Sequence, residues 1–280
     1  MKQKLKNAFG GDKLILIGAT VVVFAMFTLL NRNFLSWTNF VNILVATSLV
    51  GLVAIGHTYL IIAGQNDLSP GSLAAFSGVL AALLVSQGMN LYLSFLITIL
   101  AGALIGVFNA FMVNRIKLQA FIATLVTQSI VRGFAYILCD GRPIAIGGNE
   151  SAARLAGLNP RRIVLLCFVM MGMMCAIGGI VFAARMNSGQ PAANVNLEFD
   201  AITAVILGGV SFTGGVGTMG GTIIGVFLIQ AFNTGLTMVN VPSFWQYVAK
   251  GALLLFALTS DYIRKQNRER QLLEASKKNG

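Results

Sequence analysis

Few residues in this chain could carry out chemistry, and those few are isolated. Arg132, Lys250 and His57 each fall inside a long apolar run. None of them has the neighbours that would form a nucleophile–base pair or a pair of catalytic carboxylates. The three cysteines lack metal-ligand spacing, so we interpret them as small buried apolar side chains. The sequence therefore predicts no catalytic residue, no metal site and no cofactor.

A charge at membrane depth is costly and usually faces protein or a watery cavity. For Arg132 this indicates either a structural or substrate-path role or a side chain that extends to the membrane interface. His57 is interpreted as a hydrogen-bonded residue inside a helix bundle rather than as a ligand.

Asp67 is the only acidic residue between Asp12 and Asp140, and it stands in the turn-rich stretch GQNDLSPGS. Asp67 or Ser69 is placed to cap the following helix. We expect such a cap to stabilise a break between two helices. A place on a substrate path, or a contact with a partner protein, is the alternative.

The glycine-rich stretch 208–221 contains no lysine. It therefore cannot be a phosphate-binding loop of the Gly-x-x-x-x-Gly-Lys-Ser/Thr kind, and no such loop occurs elsewhere in the chain. If ATP drives this protein, another polypeptide must hydrolyse it.

The composition requires a membrane. Hydrophobic residues make up 56% of the chain, charged residues only 10%, and the mean hydropathy is +0.79, whereas soluble domains carry about 25% charged residues. The net charge of +11 comes from lysines and arginines in short stretches between apolar runs. That distribution is typical of cytoplasmic loops of membrane proteins and argues against nucleic-acid binding.

The apolar runs predict an all-α, polytopic membrane bundle with eight or nine membrane elements, because about 20 apolar residues span a bilayer and lipid offers no partner to an unpaired backbone group. The candidate spans are 14–30, 41–63, 71–87, 91–113, 119–138, 163–184, 219–239 and 246–262, with 200–212 as a half-span or re-entrant segment. Small residues recur every four positions at Gly102, Gly106 and Ala110 and at Gly217, Gly221 and Gly225, which predicts close helix packing.

Charge counting gives two conflicting topologies. With the basic residues 1–13 in the cytoplasm, the crossings place 114–119 inside and the polar segment 143–162 outside. The basic tail 264–280 also belongs inside, and counting back from it places the same polar segment inside. One crossing is therefore missing, or one segment re-enters the membrane.

The polar segment 143–162 has the pattern of a short helix outside the lipid. Asn149 is a favourable N-cap, Glu150 lies at the positive end of the helix dipole, and Gly157 is placed to end the helix. Such an element suits a groove on a partner protein, with a solvated connector as the alternative.

Several motifs then point to one family. The stretch GGNESAARLAGLN (147–159) resembles the cytoplasmic coupling segment of the permeases of monosaccharide ABC importers, the branch for ribose, arabinose, galactose and xylose. The stretches 63–78, 120–144, 184–225 and 243–251 resemble further family motifs in the same order. In that family a loop and another span separate GRPI from AIGGNE, but here Ile144 leads directly into Ala145. The chain therefore looks as if it lacks one internal helix.

The resemblance implies that ATPase-coupling residues contact a separate ATP-binding cassette subunit. The residues that match this role are Gly148, Asn149, Glu150, Ala152, Ala153, Arg154 and Gly157. It also implies a second permease subunit, as a homodimer, a periplasmic sugar-binding protein, and a place in the bacterial inner (plasma) membrane. On this reading 1–13 and 264–280 are cytoplasmic, and 14–263 form the permease domain with a coupling segment at 145–162.

Two other functions stay open on sequence alone. A secondary transporter would need intramembrane ionisable residues and repeated halves, of which the chain shows little. A defective or merely structural permease would assemble without transporting. For an active permease we expect 139–162 in the cytoplasm and a compensating re-entry around 64–80.

Overall fold

The computed structural model describes residues 2–140, 144–145, 160–186, 188–214 and 216–279. In this part of the chain, nine α-helices accompany one two-stranded antiparallel sheet. The helices are α1 (Lys2–Leu30), α2 (Trp37–Ile62), α3 (Pro70–Ser86), α4 (Leu91–Phe111), α5 (Ala120–Leu138), α6 (Pro160–Met186), α7 (Leu197–Leu207), α8 (Met219–Met238) and α9 (Ser243–Asn279). The strands are β1 (Ile144–Ala145) and β2 (Ser188–Gly189).

Among the described residues, six helical stretches are long and apolar enough to cross a membrane, and the predicted all-α polytopic fold is confirmed. These stretches are Lys13–Leu30, Trp37–Ile62, Leu91–Ile116, Ala120–Leu138, Val164–Met186 and Met219–Met238. The helix α3 is apolar but shorter. The helix α9 is apolar in its first half and charged in its second, so the expected tail boundary at 264 falls within a continuous helix.

The first stripe of small residues packs against α6. A methyl group added to Gly102 would lie 2.6 Å from the carbonyl oxygen of Gly172, and one added to Gly106 would overlap the carbonyl oxygen of Phe168. The two backbones therefore touch, as the stripe predicted. The contact residue number rises from 102 to 106 along α4 while it falls from 172 to 168 along α6. The two helices are therefore antiparallel.

The second stripe packs against α7. A methyl group on Gly221 would overlap the carbonyl oxygen of Gly208, and one on Gly225 would overlap that of Ala204. The helices α7 and α8 are therefore in backbone contact and antiparallel. The segment expected as a half-span or re-entrant piece at 200–212 is a helix of 11 residues followed by a turn into α8.

The helices α2 and α3 cross the bundle in opposite directions. Gly56 packs on Met171 and Leu49 on Gly178, so α2 is antiparallel to α6. By contrast, Ala74 packs on Gly179, and the C-terminal half of α3 packs on β2, which follows α6 in the chain. The helix α3 is therefore parallel to α6. The expected re-entry around 64–80 is therefore wrong. The turn between α2 and α3 is a complete reversal, after which α3 continues for 17 residues, about 25 Å.

These directions place basic side chains at one end of the bundle, which we call the basic face. Lys13 lies beside Gly220 at the start of α8, Arg115 and Lys117 follow α4, and Arg264 donates to the carbonyl of Ile206 at the end of α7. The opposite end is the outer face. The positive-inside rule predicts that the basic face is cytoplasmic.

The missing crossing can now be located. Ile144 pairs with Gly189 and Ala145 with Ser188, and β2 follows the outer end of α6. The first residue of α6, Pro160, lies at the basic face, because α6 is antiparallel to α2 and α4. The expected cytoplasmic position of 139–162 and the coupling segment at 145–162 fall mostly outside the described residues and stay predictions. Ala145 and Pro160 lie at opposite faces.

Candidate functional site

The residues expected to contact an ATPase lie outside the described part of the chain. They all fall between Ala145, the last residue of β1, and Pro160, the first residue of α6. They are Gly148, Asn149, Glu150, Ala152, Ala153, Arg154 and Gly157. Their role stays a prediction.

Asp67, Ser69 and Arg132 are described, and the structure places all three inside the bundle.

Asp67 closes the reversal between α2 and α3. Its Oδ1 atom accepts a hydrogen bond from the backbone N–H of Ser69 at 2.7 Å and another from the Ser69 hydroxyl at 2.6 Å. Both residues are buried. Ser69 occupies the N-cap position of α3, but its side chain makes no capping bond. The Asp67 carboxylate therefore supplies the acceptor for the turn, near the positive end of the α3 dipole.

A chain of hydrogen bonds ties this turn to α4 and α5. The Asn109 amide donates to Ser69 Oγ at 3.2 Å, and the Thr127 hydroxyl donates to Asn109 Oδ1 at 2.6 Å. The backbone N–H of Leu68 donates to Thr124 Oγ1 at 3.0 Å. Buried polar groups are costly unless they are paired in this way. The network therefore sets where α3, α4 and α5 meet.

Replacing Asp67 with alanine is expected to destabilise the protein in detergent by about 2 kcal/mol or more, because two buried donors of Ser69 lose their acceptor. Asp67→Asn keeps an oxygen at the same position and should lose less. Thermal unfolding of the purified chain measures both variants. Ser48→Ala, which removes an exposed hydroxyl, serves as the control. Equal loss in Asp67→Asn and Asp67→Ala would contradict a hydrogen-bonding role.

Arg132 joins three segments of the bundle. Its Nη1 atom donates to the carbonyl oxygens of Pro191 at 2.9 Å and Ala193 at 2.7 Å, while Nε donates to Ser72 Oγ at 3.1 Å. Arg132 therefore connects α5 with α3 and with the coil before α7. The guanidinium is satisfied by protein groups and does not extend to the membrane interface.

Glu198, in the first turn of α7, is a buried charge that the sequence reasoning missed. Its side chain is 1% exposed, and Gln128 donates to its Oε1 at 3.3 Å. The other oxygen, Oε2, lies close to Gly71 in the first turn of α3, and the backbone N–H groups of Gly71 and of Glu198 itself stabilise the carboxylate. Arg132 supplies the opposite charge nearby. An acid inside the apolar run 197–207 was the signal that could have identified it.

Asp200, two residues further, was also missed, and it explains how the bundle accommodates Lys250. The Lys250 ammonium lies 2.8 Å from Asp200 Oδ2, and Asn233 donates to the same oxygen at 3.1 Å. The pair joins α7, α8 and α9. Side-chain exposures of 27% for Lys250 and 14% for Asp200 show that the pair is not sealed from solvent.

The polar side chains in the described part of the bundle offer hydrogen bonds and fixed charges. They contain no group of three or more His, Cys, Asp or Glu residues that could hold a metal ion. His57 is completely buried, and neither ring nitrogen has a hydrogen-bond partner in the described part of the chain. His57 therefore lies inside the bundle as expected, but its expected hydrogen bond is not found among the described residues. Polar groups arranged in this way can hold helices together and contact a polar solute.

Comparison with known proteins identifies relatives along most of the chain. The ribose import permease of Haemophilus influenzae is 32% identical over 87% of this chain and 91% of its own length. The L-arabinose ABC transporter permease of Azospirillum brasilense is 31% identical over 89% of this chain and 87% of its own. The ribose import permease of Bacillus subtilis is 32% identical over 84% and 88%. No solved structure matches the chain significantly.

The alignments also agree with the missing crossing. The match to the Haemophilus relative extends over 293 residues, which exceeds the 280 residues of this chain although only 87% of the chain is aligned. The relative therefore contains residues that have no counterpart here. One family model matches in two stretches, 39–143 and 141–258, which meet immediately before β1. That model is described as the permease component of the branched-chain amino acid transport system, and the chain belongs to this family of membrane permeases.

Proposed function

We propose that the chain is the membrane-spanning permease subunit of an ATP-driven ABC importer that moves a monosaccharide into the cytoplasm. The observation that carries this proposal is the similarity to ribose and L-arabinose permeases over most of the chain. The helical membrane bundle and the basic cytoplasmic face are consistent with it. The protein belongs in the bacterial inner membrane as a multi-pass subunit.

ATP hydrolysis belongs to a separate ATP-binding cassette subunit, since the chain has no phosphate-binding loop. We propose that this subunit contacts, from the cytoplasm, the end of the segment Gly148–Gly157 that is nearer to Pro160, because Gly148 is only three residues from Ala145 at the outer face. The position of Pro160 at the basic face supports this side for the C-terminal end of the segment. A second copy of the chain would complete the substrate path, and a periplasmic sugar-binding protein would deliver the monosaccharide at the outer face.

The decisive experiment is uptake of D-ribose and L-arabinose by cells that carry the chain with its ATPase and binding protein. We expect uptake that requires ATP hydrolysis and disappears when the ATPase is inactivated. Uptake that persists without any ATPase would instead identify a secondary transporter. The same preparation should yield the ATPase bound to the permease.

The side of the coupling segment can be tested with Ser151→Cys. We expect an impermeant thiol reagent to leave this cysteine unmodified in sealed cells and to modify it in inside-out vesicles. The variant Gln87→Cys, in the turn between α3 and α4 at the outer face, should show the opposite pattern. Modification of Ser151→Cys from outside would contradict the proposal. Glu150→Ala and Arg154→Ala should reduce recovery of the ATPase without removing the permease from the membrane.

An impaired permease is the second candidate, and the missing crossing favours considering it. Ala145 and Pro160 lie at opposite faces, and the relatives contain residues absent from this chain. An impaired permease would assemble with its ATPase and still give no ATP-dependent uptake. That combination would support this second function over the first.

A further inference from the structure

A polar cavity of about 540 Å³ lies between α2, α8 and α9. Such a volume falls within the range of about 300–1,000 Å³ that is usual for small-molecule sites. Its lining contains five amide side chains, which is unusual inside a membrane bundle. The amides are Asn39, Asn42, Gln230, Asn233 and Gln246.

The cavity opens toward the outer face. Asn39 and Gln246 lie in the first turns of α2 and α9, and Met238 is the last residue of α8; these three helix ends belong to the outer face. Deeper in the membrane, the Asp200–Lys250 pair also lines the cavity. Asn39 and Ala46 both line the cavity, and their separation of seven positions on α2 corresponds to about 10 Å of helix.

Two amide atoms in this lining are unpaired in the described part of the chain. They are Gln230 Nε2, a donor, and Asn233 Oδ1, an acceptor. Gln230 is only 6% exposed, so water outside the bundle does not readily solvate its amide. The two residues are three positions apart on α8 and therefore neighbours on one face of the helix. A buried amide without a partner is costly unless a solute or water occupies the adjoining space.

Stability alone does not explain the ion pair beside these amides. Apolar residues that fill the same volume are often as stabilising as a buried ion pair, or more so. Charges inside membrane bundles instead mark watery cavities and solute pathways. Arg185, at the outer end of α6, adds a third charged side chain to the lining.

We propose that this outward-facing cavity is a binding site for the monosaccharide on its way into the membrane. The proposal rests on the proposed function and adds a location and recognising residues to it. Neighbouring hydroxyls of a sugar both donate and accept hydrogen bonds, which matches the amide donors and acceptors of the five Asn and Gln side chains in the lining. None of the described residues that line the cavity is aromatic. Without a stacking surface, binding is weak, which suits a site that must release its solute.

Thr234→Cys tests the site directly, since Thr234 lines the cavity and the three native cysteines are buried. In sealed cells, we expect an impermeant thiol reagent to modify Thr234→Cys from outside. At saturating D-ribose or L-arabinose, the rate should fall about fivefold or more, because only unoccupied protein reacts. Mannitol should give no protection, and Gln87→Cys, at the outer face away from the cavity, should react equally with and without sugar.

Two results would overturn the assignment. Failure of Thr234→Cys to react would show that the cavity does not open outward. Reaction without protection by either sugar, in cells that take up that sugar with ATP, would refute the site while leaving the proposed function intact. Absence of ATP-dependent uptake together with protection would instead retain the site and count against the proposed function.

A second variant tests the recognising amide. Gln230→Leu, combined with Thr234→Cys, is expected to raise the sugar concentration needed for protection about tenfold, because one hydrogen bond in a desolvated site is lost. An unchanged labelling rate without sugar shows that the variant is folded and open. Unchanged protection in Gln230→Leu would rule out this residue as part of the site.

Discussion

Gly172→Ala is expected to lower the thermal unfolding temperature of the permease sharply, although alanine normally favours a helix over glycine by about 1 kcal/mol. The added methyl group would overlap the carbonyl oxygen of Gly102 and lie 2.9 Å from its carbonyl carbon. These are backbone atoms of α4 and cannot rotate away. The helices must separate, which costs about 1–3 kcal/mol or more in a packed interior.

Gly133→Ala is the matched control. Gly133 is also inside a helix, but nothing lies within 4 Å of the position of its added methyl group. This variant should be as stable as the parent or slightly more stable. Fluorescence-detected size exclusion after heating in detergent measures both variants. Equal stability of Gly172→Ala and Gly133→Ala would contradict the direct backbone contact between α4 and α6.

Arg132→Met is expected to produce the second large loss, of about 3 kcal/mol or more, by leaving buried acceptors unpaired. The carbonyl oxygens of Pro191 and Ala193 and the hydroxyl of Ser72 would lose their donor. Glu198 would also lose a neighbouring positive charge. The coil before α7 should then detach from α5, and the yield of folded protein from the membrane should fall.

Two further variants separate the contributions of Arg132. Arg132→Lys keeps the charge but lacks the planar set of donors, so it should recover only part of the stability. Adding Glu198→Gln to Arg132→Met should recover part of the loss, because the unpaired buried carboxylate is removed while a side chain of similar shape remains. Thermal unfolding of the parent, Arg132→Met, Glu198→Gln and the double variant gives the coupling between the two residues. No recovery in the double variant would show that Glu198 and Arg132 act independently.

The helices could be predicted from sequence because an apolar run is a local property. All eight candidate spans correspond to helices, and the turn at Asp67 was visible because its hydrogen bonds reach only two residues ahead. The predicted helix boundaries were less accurate at the two charged ends of the chain. The helices α1 and α9 extend through the basic segments that sequence reasoning had assigned to tails.

The charge pattern predicted that one crossing is missing or that one segment re-enters the membrane, but it could not show where. Re-entry around 64–80 was predicted because a polar turn with Gly64 and Pro70 has the same sequence pattern whether the chain reverses fully or only dips into the membrane. Helix directions decide between these cases. They place Ala145 and Pro160 at opposite faces, so the two counts from the chain ends disagree between these residues.

Some site residues could likewise be identified from the sequence, whereas their partners could be identified only from the structure. Arg132 and Lys250 were conspicuous in sequence because each interrupts an apolar run, but their partners lie about fifty to sixty positions away. Glu198 and Asp200 became significant only when α7 was placed against α3, α8 and α9.

The sequence by itself determined that this is a helical membrane protein of the permease family, since hydropathy and family motifs are read along the chain. Only the tertiary structure decided which glycine meets which backbone, which charges pair and that a polar cavity opens outward. Those features depend on contacts between helices that are distant in sequence, and neither the periodicity of one helix nor its composition specifies its neighbour.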